Sequence, residues 1–493
     1  MSPGTPGNSV GIVEVLGNLT VAAGATYQAQ VGATGADLIA VGGTASLTGG
    51  TIVATSTAGN PALGSSTPIL TAAGGVSGSF NALTEPTTGI APGTRFDTLY
   101  SPSTISLVMT PASYGTLAAA GVVESGSESA VGGALDAIRP APGVAMGPSQ
   151  SALFDPLYIL PAGSIAIGLD ELAPSIYAEA MITGRNAWYL MADAVSAQLA
   201  ARRGLAADKA ASSAPGPNGS TIWFSGLAGY DSTGAGGGSP GFSAGLGGAA
   251  AGIDVPVAGS GRLGVAVGSV EAQTWSRTGG QAATDTAQFV SYGQWQRGMF
   301  FAEAQLGLMY QEENVRRTLP LFGAASQGDT DGIAGGGGVR VGMQNNFGTW
   351  LIEPSLGFGG FDLHMNGLAE RAGGALAETI GGATLASAES TLAVSAQRAF
   401  VLSETVRMTV KGRLGWSHEF ADDTARISAS FTGLSGSGFT LNSAPIGRDA
   451  ALVGLGADIK VAAWPVTMFV GYGGAINASS NAQSFDAGVR WVW

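Results

Sequence analysis

His364 and His418 are the only histidines in the chain, and there is no cysteine. Imidazole is the usual base for a serine nucleophile, so a Ser-His-Asp arrangement would have to draw on one of these two positions. No histidine precedes residue 364, so the first third of the chain cannot house such a triad. Two stretches match the Gly-x-Ser-x-Gly nucleophile pattern: Gly237-Gly238-Ser239-Pro240-Gly241 and Gly241-Phe242-Ser243-Ala244-Gly245. That elbow needs a helix directly behind it, and neither match precedes a helical pattern. With 80 glycines in 493 residues, such matches arise by chance. Gly328-Asp329-Thr330-Asp331-Gly332 suggests a calcium loop, but Arg340 stands where the closing carboxylate belongs. A turn at a strand end is the expected role. The run Gly335–Gly338 opens no helix, so it forms no phosphate cradle. The missing thiols exclude disulfides and zinc-thiolate sites within this chain. Catalysis, cofactors and resident metals are therefore not expected.

If side chains do little chemistry, the composition must be read for structure. Only 11% of residues are charged, and the net charge is −13. A nucleic-acid partner is excluded by that balance, because a phosphate backbone needs basic patches. Soluble proteins carry about 25% charged residues. Yet the mean hydropathy is only +0.26, and no long uncharged apolar run suggests a spanning helix. Transmembrane β-barrels combine these properties, because each strand offsets a lipid-facing apolar row with small polar residues on the other side.

Three regions follow along the chain. Residues 1–115 hold only Glu14, Asp37, Glu85, Arg95 and Asp97 as charged residues. Short alternating runs between glycines, such as GNLTVAAGATYQAQV and ADLIAVGGTASLTGGTIVAT, predict the last coils of a parallel β-helix or a small sandwich. The open sheet edge at its end requires a cap. Residues 116–220 are a junction. SESAVGGALDAIRP predicts a short helix stopped by Pro140. Residues 174–203 predict a helix of about 45 Å, opened by Pro174 and closed by Gly204. A flexible linker is expected over residues 210–220.

Residues 221–493 alternate almost throughout. Twelve segments start near residues 222, 242, 262, 284, 299, 326, 349, 390, 405, 448, 466 and 483. The even number suits closure by antiparallel strands. In the ninth, Val406, Met408, Val410, Leu414 and Trp416 oppose Arg407, Lys411, Arg413 and Glu419. In the fifth, Leu306, Leu308 and Tyr310 oppose Glu303 and Gln305; in the seventh, Trp350, Ile352 and Phe358 oppose Glu353. The expected lumen-facing set is therefore Glu303, Glu353, Arg407, Lys411, Arg413 and Glu419. Tryptophans 223, 275, 295, 350, 416, 491 and 493 fall mostly near segment ends, where interfacial girdles sit. Long connections, residues 366–390 and 422–447, belong on the extracellular side.

The chain ends in SFDAGVRWVW. Asp486, Gly488, Trp491 and Trp493 in this strand look like the terminal signal read by outer-membrane assembly machinery. With GNLTVAAGATYQAQV, SESAVGGALDAIRP and APSIYAEAMITGRNAWYLMADAV in that order before the barrel, the chain resembles classical type V autotransporters over nearly its whole length. The resemblance implies a mainly β protein: a 12-stranded antiparallel transmembrane β-barrel with a lumenal α-helix, after a short parallel β-helix of autochaperone type. It implies domains at 1–115 (end of the passenger), 116–220 (junction, linker and lumenal helix) and 221–493 (translocator). It further implies secretion and display of the chain's own passenger from the bacterial outer membrane. The expected partners are the outer-membrane bilayer, the barrel-assembly machinery, periplasmic chaperones and the passenger itself. Asp170, Glu171, Glu179, Arg185 and Asp193 are polar positions for the helix to offer the lumen wall. The alternative is a porin carrying an N-terminal extension. MSPGTPGNSVGIVEVLGN has no signal-peptide pattern, so a segment further upstream is expected to supply one.

Overall fold

A computed structural model describes residues 1–4, 10–33, 35–56, 59–86, 88–207, 219–257, 260–462 and 464–492. The linker expected over 210–220 falls largely outside the described residues, as does Trp493.

The N-terminal region is a β-helix of three coils, each giving one strand to each of three parallel sheets. Ile12–Val15, Leu38–Val41 and Ser66–Ala72 form the first sheet. Leu19–Val21, Ala45–Leu47 and Val76–Gly78 form the second. Thr26–Gly32, Thr51–Ser56 and Ala82–Thr84 form the third. Parallel register stacks like on like, so Tyr27, Ile52 and Leu83 make one buried ladder and Ile39 lies beside Leu70. The last coil is covered by an antiparallel hairpin, Thr94–Tyr100 with Thr104–Pro111, whose second strand pairs with Ser66–Ala72. That hairpin is the cap the exposed edge demands.

Four helices follow: α1 (Gly126–Ile138), α2 (Pro148–Tyr158), α3 (Ala162–Leu172) and α4 (Ser175–Ala207). Ser125 and Glu128 close a capping box on α1. Arg139, just past α1, joins the stalk to the helices. Its guanidinium lies between the rings of Tyr114 and Tyr158, at 4.7 and 5.0 Å, and pairs with Asp97 of the hairpin. It also donates to Pro111 O at 2.8 Å and Thr110 Oγ1 at 2.6 Å. Sequence periodicity does not predict α2 and α3. The long helix begins at Ser175, one residue after the expected opening at Pro174, and Ala173–Pro174 separate it from α3. Asp170 and Glu171 therefore sit on α3, not on the long helix. Gly204 does not close α4, which runs on to Ala207.

The barrel strands are β1 (Thr221–Thr233), β2 (Phe242–Val257), β3 (Gly261–Ser276), β4 (Gln281–Arg297), β5 (Phe300–Leu319) and β6 (Ala324–Met343). They continue with β7 (Trp350–Met365), β8 (Ala383–Val401), β9 (Val406–Glu419), β10 (Asp449–Val461), β11 (Val466–Ile476) and β12 (Ser480–Val492). All neighbours are antiparallel, and β12 pairs with β1 through Arg490 and Trp223, so the cylinder closes. Two positions correct the sequence reading. The eighth strand starts at Ala383, not near 390, which shortens the loop before it. Gly328–Gly332 lie inside β6, not in a turn.

Apolar side chains point outward: Leu306, Leu308, Val339, Leu414 and Leu455 are all exposed. Trp275, Trp295, Trp350, Trp416 and Trp491 join them on the outer face. Trp223 departs from the girdle. It is fully buried in the lumen and donates its indole N–H to Tyr292 at 2.8 Å. No helix among the described residues is long and apolar enough to cross a membrane.

Candidate functional site

Helix α4 runs through the barrel, and its two sides are held by different forces. Ala187, Met191, Val195 and Leu199 pack on Trp223, Leu246, Val270 and Val290, an apolar strip of the inner wall on β1–β4. Glycine makes room for the bulkiest contact. A Cβ on Gly307 would lie 3.1 Å from the Trp188 ring, and one on Gly336 only 2.8 Å from it. Those inner-wall glycines give the run Gly335–Gly338 a steric role.

Ion pairs and hydrogen bonds hold the rest. Arg203 bonds Glu353 at 2.8 Å and also pairs with Glu303, which in turn takes Arg340 from the wall. Its guanidinium stacks 3.9 Å from the Phe301 ring centroid. Arg185 reaches Glu419 at 2.9 Å and Glu389 at 3.6 Å, and Glu419 also accepts from Ser387 at 2.5 Å. Arg202 lies 3.6 Å from Asp254. Asn186 donates to Asp231 at 2.8 Å, and Arg490 of β12 donates to Gln198. Thr183 shares a 2.8 Å hydrogen bond with Thr274 of β3. Glu179 accepts from Ser276 at 3.2 Å. Buried charges are costly unless paired, so these partners fix the rotation and depth of the helix.

The fit is not complete. A cavity of ≈ 210 Å³ separates α4 from β9–β12, lined by Asp193, Arg340, Lys411, Arg413, Asp458 and Asp486 among others. The structure therefore brings Glu303, Glu353 and Glu419 against α4. It leaves Lys411, on Asp458 at 2.7 Å, and Arg413 across open space from the helix. Arg407 lies beyond them near the short-turn end. The helix partners of Glu303, Glu353 and Glu419 lie 100 or more residues away in sequence, which no local pattern reveals.

At the long-loop end the lumen is roofed. Leu368–Ala369, Glu378–Ile380, Arg426–Phe431 and Phe439–Asn442 form a small sheet of loop strands. Phe431, Phe439, Leu376 and Ile427 share one core with Leu135, Phe154, Leu157 and Leu172 of α1–α3. The backbone N–H of Leu321 donates to Glu171 at 2.9 Å. Beneath the roof, Arg317 holds Glu370 and Glu378 at 3.1 and 3.0 Å, with Tyr177 donating to Glu370. Neither Gly-x-Ser-x-Gly match forms an elbow: Gly237–Gly241 is the β1–β2 turn, where Gly238 O accepts from Ser127 of α1. His418 lies outside the lumen, between Trp416 and Phe420.

In β12, Asp486 and Gly488 face inward. Trp491 stands outward at 55% exposure.

Comparison with known proteins bears on this arrangement. The family model for the autotransporter beta-domain matches residues 222–473. An extracellular serine protease of Serratia marcescens is 28% identical over 89 residues, which is 18% of this chain. The chain spans only 8% of that relative's length. Among solved structures, the translocator domain of the autotransporter NalP from Neisseria meningitidis covers 62% of this chain and 98% of its own, at 13% identity and a TM-score of 0.46. The beta domain of the Bordetella autotransporter BrkA covers 56% and 99%, at 16% identity and a TM-score of 0.44.

Proposed function

Since this chain belongs to the autotransporter family through its beta-domain, we propose that it inserts in the bacterial outer membrane, passes its own N-terminal segment through the barrel and displays it at the surface. The observation that carries this reading is the polypeptide in the lumen. Helix α4 occupies the pore and leads from the junction helices at one mouth towards β1 at the other. A chain that had moved outward through the barrel would come to rest in this topology. The outward apolar faces of β1–β12 suit lipid.

We divide the chain into the end of a passenger (1–115), a junction with linker and lumenal helix (116–220), and the translocator (221–493). The β-helix folding outside would bias movement outward, because a folded coil cannot slip back. Asp486, Gly488, Trp491 and Trp493 are our assignment for the signal read by the assembly machinery, with periplasmic chaperones as escorts. We assign to the lumen the passage and then the holding of polypeptide. Any enzymatic activity belongs to passenger sequence, in keeping with the short match to a secreted serine protease.

A porin with an N-terminal extension would need an open lumen. Planar-bilayer recording separates the two. The full chain should show little conductance, and deletion of residues 175–203 should raise it several-fold in barrels that retain heat-modifiable mobility. Equal, large conductance before and after deletion would favour the porin. Deletion of the last three residues should lower the yield of assembled barrel; an unchanged yield would remove the terminal signal.

A further inference from the structure

The apolar side of α4 does not by itself set how far the helix is drawn through the barrel. Ala187, Met191, Val195 and Leu199 repeat every four residues along the strip that meets β1–β4. Moving a helix by one turn, about 5.4 Å, exchanges each of them for the next. Trp188 is different. One turn away on its own face stand Gly184 and Ala192, so no side chain of its size can take its place.

The socket that holds Trp188 has a direction. Register puts Val290, Gly307, Gly336 and Phe361 in one inward row across β4–β7. The indole sits against the two glycines, 5.4 Å from the Phe361 ring. The next inward row towards the long loops is Met309, Ala334, Leu363 and Leu385, all buried. Trp188, Met309, Ala334 and Leu363 belong to one packed cluster, and close-packed side chains leave a large ring no way past. The next row towards the short turns is open. There Gly338 pairs with Gly359 and, with Gly357, lines a cavity of ≈ 130 Å³ that Trp188 also borders. We propose that Trp188 is a stop. The glycine side of the socket admits the ring as polypeptide moves outward, the Met309–Leu385 row bars it, and α4 comes to rest at that depth. This rests on the translocator reading and adds what ends the movement. Trp188 is thus a positioning residue, and its bulk is what acts.

The test uses the full chain in outer membranes and three engineered cysteine pairs, one at a time. Thr183→Cys/Thr274→Cys reports the resting depth, where the two hydroxyls meet at 2.8 Å. Ala187→Cys/Thr274→Cys reports a helix drawn one turn further outward, because residue 187 would then stand where residue 183 does now. Glu179→Cys/Thr274→Cys reports a helix one turn short. With Trp188 present, mild oxidation should link the first pair and not the other two. In Trp188→Ala, linking of the first pair should fall several-fold and reappear at the outward pair, not at the short one. Trp188→Phe should restore linking at the resting depth. Met309→Ala lowers the bar while keeping Trp188, and should shift linking in the same outward direction even where Trp188→Ala assembles poorly. Unchanged linking of the first pair in both variants, or a loss without a preferential gain at the outward pair, would overturn the stop. Those outcomes leave the translocator reading intact. That reading fails instead if none of the three pairs links in the barrel that keeps Trp188 and Met309.

Discussion

Ile39, Ile52, Leu70 and Ile105 of the stalk are 0–3% exposed, whereas Leu306, Leu308, Leu414 and Leu455 of the barrel are 67–69% exposed. Both regions are built from strands with the same two-residue alternation. In the stalk the apolar row turns inward and stacks coil on coil into a dry core. In the barrel it turns outward, and arginines, carboxylates and glycines line the interior instead. The same period thus yields opposite solids, and what differs is the solvent each surface meets. Where lipid lies outside, the interior must satisfy its own charges, and the buried helix supplies the partners.

That comparison can be broken by mutations that act on one region's logic. The largest effect is expected in the lumen. Arg203→Ala leaves Glu303 and Glu353 without their helix cation and should destabilise the folded barrel by about 3–5 kcal/mol. Denaturant unfolding in lipid vesicles measures this, and a loss under 1 kcal/mol would mean the helix is not held by charge. Next comes the stalk core. Leu70→Ala should cost about 2–5 kcal/mol by leaving a cavity, read as faster proteolysis of residues upstream of α4. Leu455→Arg on the outer face should cost about 2–4 kcal/mol if that position lies near the membrane midplane. Its wild-type stability in vesicles would put the outer face in water.

A smaller effect should appear with pH, and only outside the barrel. Burial, opposed by a hydrogen bond from Phe96 N–H, raises the Glu85 carboxyl to about 7. Burial and the neighbouring Glu128 raise Asp170 to about 7 as well. Each group binds its proton more tightly folded than unfolded. The stability this contributes is full below the ordinary carboxylate range and is lost as pH rises through about 7. The stalk and its junction should therefore resist protease better at pH 5 than at pH 8. The reverse order would count against these buried carboxyls.

Much of this was legible before the structure, and the limits are physical. Alternation over a dozen residues is a strong local signal, so the twelve segments and their faces could be read directly, whereas the place of the long helix inside them was implied by the family resemblance. Helices α2 and α3 could not: Pro148, Pro156, Gly163 and Gly168 interrupt their periodicity, and their stability comes from packing on the loop roof. Trp223 shows a further limit. Proximity to a strand end suggests an interface, but parity places it in the lumen beside Tyr292. The ion pairs of α4 join residues far apart in sequence. Charge parity marks Glu303 and Glu353 as inward, but nothing local assigns them to Arg203. The cavity between α4 and β9–β12 depends on how the closed sheet seats the helix, which no local pattern reveals.

The central claim is that the segment before β1 lies threaded through the barrel in the membrane. Because the chain has no cysteine of its own, Thr183→Cys/Thr274→Cys introduces a single pair where two hydroxyls now meet at 2.8 Å. Mild oxidation of intact outer membranes should link the two positions in high yield and change the gel mobility of the unheated barrel. A pair that stays reduced, with both thiols open to a water-soluble maleimide, would contradict the account.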